Sequence, residues 1–507
     1  MDLDRGICRR ASRSRDARFD GRFFIGVVTT GVYCRPICPA PPPKARNVRY
    51  FPSAAAAAGA GLRPCLRCRP EASPGTPAWL GTSALVSRAL RLIDESAVEG
   101  EGVERLAGRL GVTARHMRRL FLRHLGATPL QVAITRRLHF AKKLIDETEL
   151  PFGEVALASG FGSVRRFNGE IRETYARAPS ELRRLARPWR SDNGHQGYRF
   201  RLAYRPPYDW DAILAFLRAR AIPGVERADE SAYRRTIAFD SATGLIEVRH
   251  ASGSAALELI VQFPKPRALL RIVERVRRMF DLGADPDVIG KHLRSDPLLG
   301  PILKRHPGIR MPGAWDGFEL AVRAILGQQI SVRAASTIAG RLASRFGSAV
   351  EGPEGTDRLF PSVARLARAE IESAGVIRAR AEAIRALARE TAADRIGFDP
   401  GRGAEAATRP LLALPGVGEW TAQYIAMRAL AEPDAFPGGD LILKAATGAR
   451  TARRLELRAE AWRPWRAYAV MLLWQGAEDD REHVVQRNRQ SRRADAPRDG
   501  RGRPASH

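Results

Sequence analysis

Two cysteine pairs, Cys34-x3-Cys38 and Cys65-x2-Cys68, lie 26 residues apart in a chain of 507. Short-spaced thiol pairs that a fold can bring together are the donor set of a tetrahedral zinc site, where the metal keeps each sulfur deprotonated. Cys8 stands alone and reads as an ordinary small residue. No cysteine follows Cys68, which excludes a cysteine-held iron–sulfur cluster, a nucleophilic thiol or a thiolate zinc site later in the chain. A second constellation lies far downstream. LPGVGEWTAQYIAMRAL (Leu414–Leu430) places Gly416 and Gly418 in a tight hairpin between two helices. Glycines there let the backbone approach a phosphate, and the following helix offers free N–H groups to it. Asp440 stands 22 residues beyond Gly418, after FPGG and before an apolar LIL. A carboxylate in such a place can stabilise a developing cation or orient a water. Trp420, Tyr424 and Trp474 offer electron-rich faces on which a cationic ring can stack.

The elements that must position these residues show in the periodicity. Helical spacing runs from about Ala84 to Ala186. Val103, Leu106, Ala107 and Leu110 make one helix face, Gly111 turns the chain, and Thr113 caps a second helix, ARHMRRLFLRHL. That helix buries Met117, Leu120 and Phe121 and turns Arg115, His116, Arg118, Arg119 and Arg123 outward. A second copy follows: Glu154–Ser159, a GFGS turn, then Val164–Tyr175 with Arg165, Arg166, Asn168 and Arg172 outward. Leu130–Glu147 connects the two. Paired helix-turn-helix units with basic second helices predict double-stranded DNA as the partner. Next, Tyr198, Phe200, Leu202 and Tyr204 alternate with Arg199, Arg201 and Arg205 as in a strand. An amphipathic helix carries Trp210, Ile213, Leu214 and Leu217, and three further strand candidates are YRRTIAF, GLIEVRH and ALELIVQF. From about Pro301 to Gly476 the pattern is helical. RPEASPGTP (Arg69–Pro77) and RPWRSDNGHQG (Arg187–Gly197) read as linkers. The alanine run at 54–58 reads as a helix turn.

Charge agrees. Lys and Arg number 84 against 55 Asp and Glu, a net +29, which favours a polyanionic partner, nucleic acid before acidic membrane. No run approaches the ~18 apolar residues of a membrane span. MDLDRGICRRASRSR lacks the apolar core of a secretory signal, so the chain is expected to be soluble, intracellular and without a membrane partner.

Three resemblances sharpen these expectations. FDGRFFIGVVTTGVYCRPICPA and NVRYFPSAAAAAGAGLRPCLRCRPE, spanning about Arg15–Glu71, resemble the N-terminal domain of the Ada methylation-response regulator family. That resemblance implies one zinc held by Cys34, Cys38, Cys65 and Cys68. It also makes Cys34 a sacrificial acceptor of the methyl group of a DNA methylphosphotriester. Four thiolates on zinc carry a net −2; methylating one takes the site to −1, and repulsion from DNA falls by ~1 kcal/mol per phosphate at ~4 Å in water. The double helix-turn-helix, with SVRRFN and the later P-S-x-L-R-R, resembles the AraC-type DNA-binding domain, which implies promoter DNA and RNA polymerase as partners. ILGQQISVRAA (Ile325–Ala335), the LPGVG hairpin, Asp440 and AWRPWRAYAVMLLW (Ala461–Trp474) resemble the AlkA-type 3-methyladenine DNA glycosylases of the helix-hairpin-helix superfamily, over about Tyr198–Gly476. This resemblance implies catalysis by Asp440 and a flipped alkylated base stacked on Trp420, Tyr424 and Trp474. Gln329 falls where the family inserts a wedge into the duplex, and no cofactor serves the glycosylase chemistry. Trp420 occupies the place of the Schiff-base lysine of bifunctional relatives, so the chemistry implied is monofunctional. The cysteine of the Pro-Cys-His context that Ada-type proteins use against O6-alkylguanine has no counterpart here.

The expected chain is therefore multidomain and mainly α: a small zinc α+β domain (1–76), a double helix-turn-helix domain (84–187), an α+β (TBP-like) domain (197–300), an all-α helix-hairpin-helix glycosylase domain (301–477) and a disordered basic tail (478–507) read as a DNA-binding arm. Its expected location is a bacterial cytoplasm, on the nucleoid. Three readings compete: an alkylation-response fusion with both repair chemistries, a transcription regulator with an inactive glycosylase unit, and a zinc-stabilised scaffold without chemistry. The last leaves the Asp440 constellation unexplained.

Overall fold

A computed structural model describes residues 4–75, 84–95, 102–186, 197–398 and 403–494. The first unit opens with helix α1 (Arg5–Ser14), capped by Asp4, whose carboxylate accepts from the Ile7 N–H at 2.8 Å. Strands β1 (Phe24–Val27), β2 (Val32–Cys34) and β3 (Val48–Phe51), helix α2 (Ala54–Gly59) and the two-residue strand β4 (Arg63–Pro64) follow. The sheet order is β3-β1-β2-β4; β1 pairs antiparallel with both neighbours, and β2 pairs parallel with β4. The alanine run is α2, started by Ser53, which accepts from the Ala56 N–H.

Among the described residues, seven helices form the next unit: α3 (Ala84–Glu95), α4 (Gly102–Arg109), α5 (Ala114–Leu125), α6 (Pro129–Glu147), α7 (Phe152–Ala158), α8 (Val164–Tyr175) and α9 (Pro179–Leu185). The expected cap of α5 is present, with Thr113 accepting from His116 N, and Ser163, the last residue of the GFGS turn, caps α8 in the same way by accepting from Arg166 N. Gly111 takes φ +70°, the left-handed conformation that the α4–α5 turn requires. The connecting helix α6 starts one residue before the expected Leu130, at Pro129, and a reciprocal capping box of Thr128 and Gln131 fixes that start. Met117 and Phe121 of α5 are buried, Leu120 only half so.

The third unit is an antiparallel sheet of strands β5 (Tyr198–Ala203), β6 (Glu226–Ala228), β7 (Ala232–Phe239), β8 (Ala242–His250) and β9 (Ala256–Gln262), ordered β5-β9-β8-β7-β6, with helices α10 (Trp210–Ala219) and α11 (Leu269–Met279). Phe200 and Leu202 bury one face of β5 as the alternation predicts. Arg205, read with the polar face, lies beyond the end of the strand and is fully buried, donating to the carbonyls of Gly75 and Gly283. The core here is continuous with the second helix-turn-helix: Phe161, Phe167 and Ile171 belong to the same apolar cluster as Phe200, Ile246 and Val276.

Helices then build the rest: α12 (Pro286–Leu293), α13 (Leu299–Arg305), α14 (Gly317–Leu326), α15 (Val332–Phe346), α16 (Val363–Leu366), α17 (Arg378–Ala392), α18 (Ala404–Leu412), α19 (Glu419–Ala429), α20 (Leu441–Thr447), α21 (Ala452–Ala459) and α22 (Arg466–Ala494). Two apolar clusters hold them. One is centred on Val322, Ile384 and Ile425, the other on Met427, Trp462 and Leu472, and α19 contributes to both. The expected disordered tail needs correction. Residues 478–494 continue α22, because EDDREHVVQRNRQSRR contains neither proline nor glycine and is rich in good helix formers. Residues 495–507 and nearly all of the second expected linker (187–196) lie outside the described residues, whereas the first expected linker is described as far as residue 75 and includes a short 3-10 turn at Pro70–Ala72. No described helix is long and apolar enough to cross a membrane.

Candidate functional site

Cys34 ends β2, Cys38 follows a turn closed by its own N–H bond to the Arg35 carbonyl, and Cys65 and Cys68 follow β4. The parallel pairing of β2 with β4 is what brings the two pairs together. All four Sγ atoms lie within 4.8 Å of one another. Zinc–sulfur bonds of about 2.3 Å require tetrahedral sulfurs about 3.8 Å apart, so this all-thiolate set fits a zinc ion with small adjustments. Cys34 and Cys68 are buried, while Cys38 and Cys65 are half-exposed. Arg35 buttresses the site: its N–H donates to Cys68 Sγ at 3.3 Å, and its guanidinium donates to the Cys68 carbonyl and Asp20. Cys8 lies on α1, packed beside the cluster but not part of it, and burial pushes its thiol up to about 11.

In the helix-turn-helix unit, Arg115, Arg118 and Arg119 are exposed on α5, and Arg165 and Arg166 are exposed on α8. Arg119 donates to His116 Nδ1 at 3.0 Å, and Arg166 pairs with Glu170 at 2.8 Å. The two basic helix faces stand as the sequence places them.

Asp440 is the N-cap of α20. Its Oδ1 accepts from the N–H groups of Ile442 at 2.9 Å and Leu443 at 3.0 Å. The same carboxylate receives two indoles: Trp420 Nε1 donates to Oδ2 at 3.0 Å and Trp474 Nε1 to Oδ1 at 3.3 Å. Three donors on Oδ1 and one on Oδ2 leave Oδ2 an open acceptor position. Asp440, only 8% exposed, lines a pocket of about 270 Å³ together with Trp420, Tyr424 and Trp474. Trp420 and Tyr424 stack in parallel, centroids 5.2 Å apart and planes 8° apart, and Trp474 leans on Tyr424 at 47°. The arrangement offers a flat planar group an aromatic wall with a fixed carboxylate beside it.

Gly416 takes φ +76°, a conformation the hairpin demands. Gly418, the N-cap of α19, has an ordinary φ of −94°, and a Cβ there would meet nothing within 4 Å. Neither its backbone conformation nor its packing within the chain requires a glycine there. Gln329 is exposed in the α14–α15 loop at φ +57°, an uncommon conformation for a non-glycine residue.

Two positioning residues escaped the sequence reading. Gln328 donates to the Gly416 carbonyl at 2.8 Å and to Thr421 Oγ1 at 3.1 Å, tying the Gln329 loop to the hairpin. The glutamine pair in ILGQQIS was the available signal. Arg428 is buried and donates to Tyr424 Oη at 2.8 Å and to the carbonyls of Pro312 and Gly313. Burial alone would raise the Tyr424 phenol; Arg428, Arg220 and Arg323 overcome it and bring it down to about 8. Arg428 follows Tyr424 by one helical turn, a spacing visible in the sequence but without a signal of its own.

Comparison with known proteins gives four family matches in chain order: the metal binding domain of Ada over residues 7–71, a helix-turn-helix domain over 106–185, the AlkA N-terminal domain over 199–316, and the HhH-GPD superfamily of base excision DNA repair proteins over 322–466. The probable bifunctional transcriptional activator/DNA repair enzyme AlkA of Mycobacterium tuberculosis is 44% identical over 92% of this chain and 95% of its own. DNA-3-methyladenine glycosylase 2 of Escherichia coli is 32% identical over 54% of this chain and 96% of its own. Among solved structures, a 3-methyladenine DNA glycosylase from Archaeoglobus fulgidus superimposes with a TM-score of 0.49 at 21% identity, covering 54% of this chain and 97% of the other.

Proposed function

The chain belongs to the family of Ada-type activators fused to AlkA-type glycosylases, and from that premise we propose that Asp440 catalyses excision of alkylated bases from DNA while Cys34 accepts methyl groups from DNA methylphosphotriesters. The chain is a DNA repair glycosylase joined to a zinc-binding transcriptional activator. What carries the assignment of the active residue is the Asp440 carboxylate, held by four N–H donors at the edge of an aromatic pocket.

Cleaving an N-glycosidic bond builds positive charge on the sugar. A carboxylate fixed by a helix N-terminus and two indoles cannot swing away, so its field is present before the charge develops. Oδ2 retains an acceptor position for a water that completes hydrolysis. An alkylated purine such as 3-methyladenine already carries positive charge, leaves readily and stacks well on Trp420, Tyr424 and Trp474. Gly416 and Gly418 take the flanking phosphate, and Gln329 fills the gap the base leaves. With Trp420 at the lysine position, the product is an uncut abasic site.

At the other end, one zinc held by Cys34, Cys38, Cys65 and Cys68 keeps the sulfurs as thiolates when bound. Cys34 Sγ attacks the methyl carbon of the phosphotriester; the C–O bond breaks, the methyl moves to sulfur and a phosphodiester leaves. Arg115, Arg118, Arg119, Arg165 and Arg166 face promoter DNA, and RNA polymerase is the recipient of the signal, on the nucleoid of a bacterial cytoplasm.

Release of bases from methylated duplex by wild type and Asp440→Asn tests the reading. Asparagine still caps α20, so DNA affinity should persist while excision falls at least 10²–10³-fold, about 3–4 kcal/mol of lost transition-state stabilisation. Unchanged excision would move the catalytic carboxylate elsewhere.

A further inference from the structure

Helix α22 runs past the last recognisable motif, and its next turn faces the base pocket. Trp474, Ala477, Glu478 and Arg481 are spaced i, i+3, i+4 and i+7, so they share one helix face, and all four line the pocket of Asp440. The bond from Trp474 Nε1 to Asp440 Oδ1 turns that face inward. Asp479 pins the helix on a second side. Its carboxylate meets Arg305 at 3.1 Å and His306 Nε2 at 3.2 Å, and accepts from Gln475, one turn back, at 3.3 Å. Glu478 is thereby held at the pocket by a helix fixed on two flanks. It is exposed and, among the described residues, makes no hydrogen bond or ion pair, so its oxygens keep their acceptor positions.

The rest of the pocket shows what such a carboxylate is for. One side is cationic: Arg220 and Arg323 line it, and Arg428 bonds the Tyr424 hydroxyl. Arg323 is offset by Glu226 at 3.2 Å and Glu319 at 3.6 Å. Arg220 lies over the Phe216 ring at 3.7 Å and donates to the Phe216 carbonyl at 3.3 Å, and neither partner cancels its charge. A positively charged base stacked on the aromatic wall is therefore repelled by Arg220 unless a nearby anion offsets it. Glu478 is that anion by position. Arg220, Trp474 and Glu478 line both this pocket and a small adjoining recess of about 20 Å³, which sets the carboxylate and the guanidinium together at the seam of the two cavities. The charge of Glu478 acts on Arg220 there.

We propose that Glu478 determines base specificity: its carboxylate accepts from the amino edge of a purine stacked on Trp420, Tyr424 and Trp474, and selects positively charged alkylated bases over neutral ones. This role rests on the reading of Asp440 above and gives that site its substrate class. The two carboxylates divide the work. Asp440, held by four N–H donors, acts on the sugar, and Glu478 acts on the base. A carboxylate only accepts, so it favours an exocyclic amine and disfavours an edge that presents lone pairs. A site built to meet such a donor rejects an analogue lacking it far better than an apolar wall can.

The test is single-turnover release of two bases from duplex DNA by the full-length chain: 3-methyladenine, and 1,N6-ethenoadenine, which is neutral and has no N–H on the base. Glu478→Gln keeps the shape of the side chain and removes its charge. It should slow release of 3-methyladenine about tenfold and should not slow release of ethenoadenine. Glu478→Ala should match Glu478→Gln, and Glu478→Lys should be slower still on 3-methyladenine. Because the residue is exposed, Tm should stay within about 1 °C of wild type in all three. Release of 3-methyladenine by Glu478→Gln within about threefold of wild type would overturn the proposal, and so would an equal fall for both bases. A loss confined to Glu478→Ala would also overturn it, by leaving Glu478 as a piece of wall. If wild type releases no 3-methyladenine, the Asp440 reading fails first and this role with it. Release by wild type and by Glu478→Gln at one rate sinks this role alone.

Discussion

At Asp440 one carboxylate both starts a helix and receives two indole N–H groups, from residues 20 and 34 positions away in sequence. The sequence shows the aspartate and each tryptophan as candidates. It does not show that the tryptophans point their nitrogens at the acid, because that depends on how α19 and α22 pack around α20. The cysteines were more legible, since short spacing alone restricts where four thiols can meet, and Cys8 stays outside the cluster as its isolation suggested. Cys8→Ser should therefore retain one equivalent of zinc by metal analysis. After exposure to methylphosphotriester DNA, peptide mass spectrometry should find a single methyl on Cys34; a methyl on half-exposed Cys38 or Cys65 would reassign the nucleophile. His139 permits a pH prediction. Its Nε2 lies 2.9 Å from Tyr33 Oη, next in the chain to Cys34, and burial, helped by Arg136 and Lys142, lowers its pKa to about 4. Between pH 6.5 and 4 the unfolded chain takes up a proton that the folded chain refuses, so this contribution to stability is complete above pH 6.5 and drains away as pH falls. His139→Gln, which does not titrate, should show a flatter fall of Tm over that window; parallel curves would mean that the folded state protonates His139 normally.

At the scale of elements, strong local signals were read correctly and weak ones were not. Caps at Thr113 and Ser163 mark the helices they start, because a side-chain oxygen satisfies an N–H wherever the helix later packs. Strand β6 has three residues and no alternation to show; it exists because β7 offers it an edge. The hairpin glycines separate two roles that look alike in the sequence. Gly416→Ala forces a Cβ into φ +76° and should cost about 1–2 kcal/mol of stability. Gly418→Ala adds its Cβ to open space and should leave Tm unchanged while weakening duplex binding, measured by fluorescence anisotropy. Unchanged binding by Gly418→Ala would place the DNA backbone away from this turn.

For the whole molecule, composition and linkers suggested separate units on a string, and the packing is closer than that. The second helix-turn-helix shares an apolar core with the sheet unit. Arg22 of the zinc unit reaches Asp285 and Asp287 at the start of α12, and Arg205 and Arg277 donate to the carbonyls of Gly75 and Pro74. Contacts among residues more than a hundred positions apart leave no periodic trace. Arg22→Ala should lower stability by about 1–3 kcal/mol in thermal unfolding and leave base excision intact, since Asp285 keeps its bond from Val288 N. Loss of excision would mean that docking of the zinc unit shapes the distant pocket. Helix α22 bears on how the protein can be cut. Trp474 closes the pocket, but Ala477, Glu478 and Arg481 also line it, and Asp479 anchors the helix to Arg305 and His306. A chain trimmed where the recognisable motifs end, after Gly476, would keep every signature residue and lose one wall of the cavity that those residues serve.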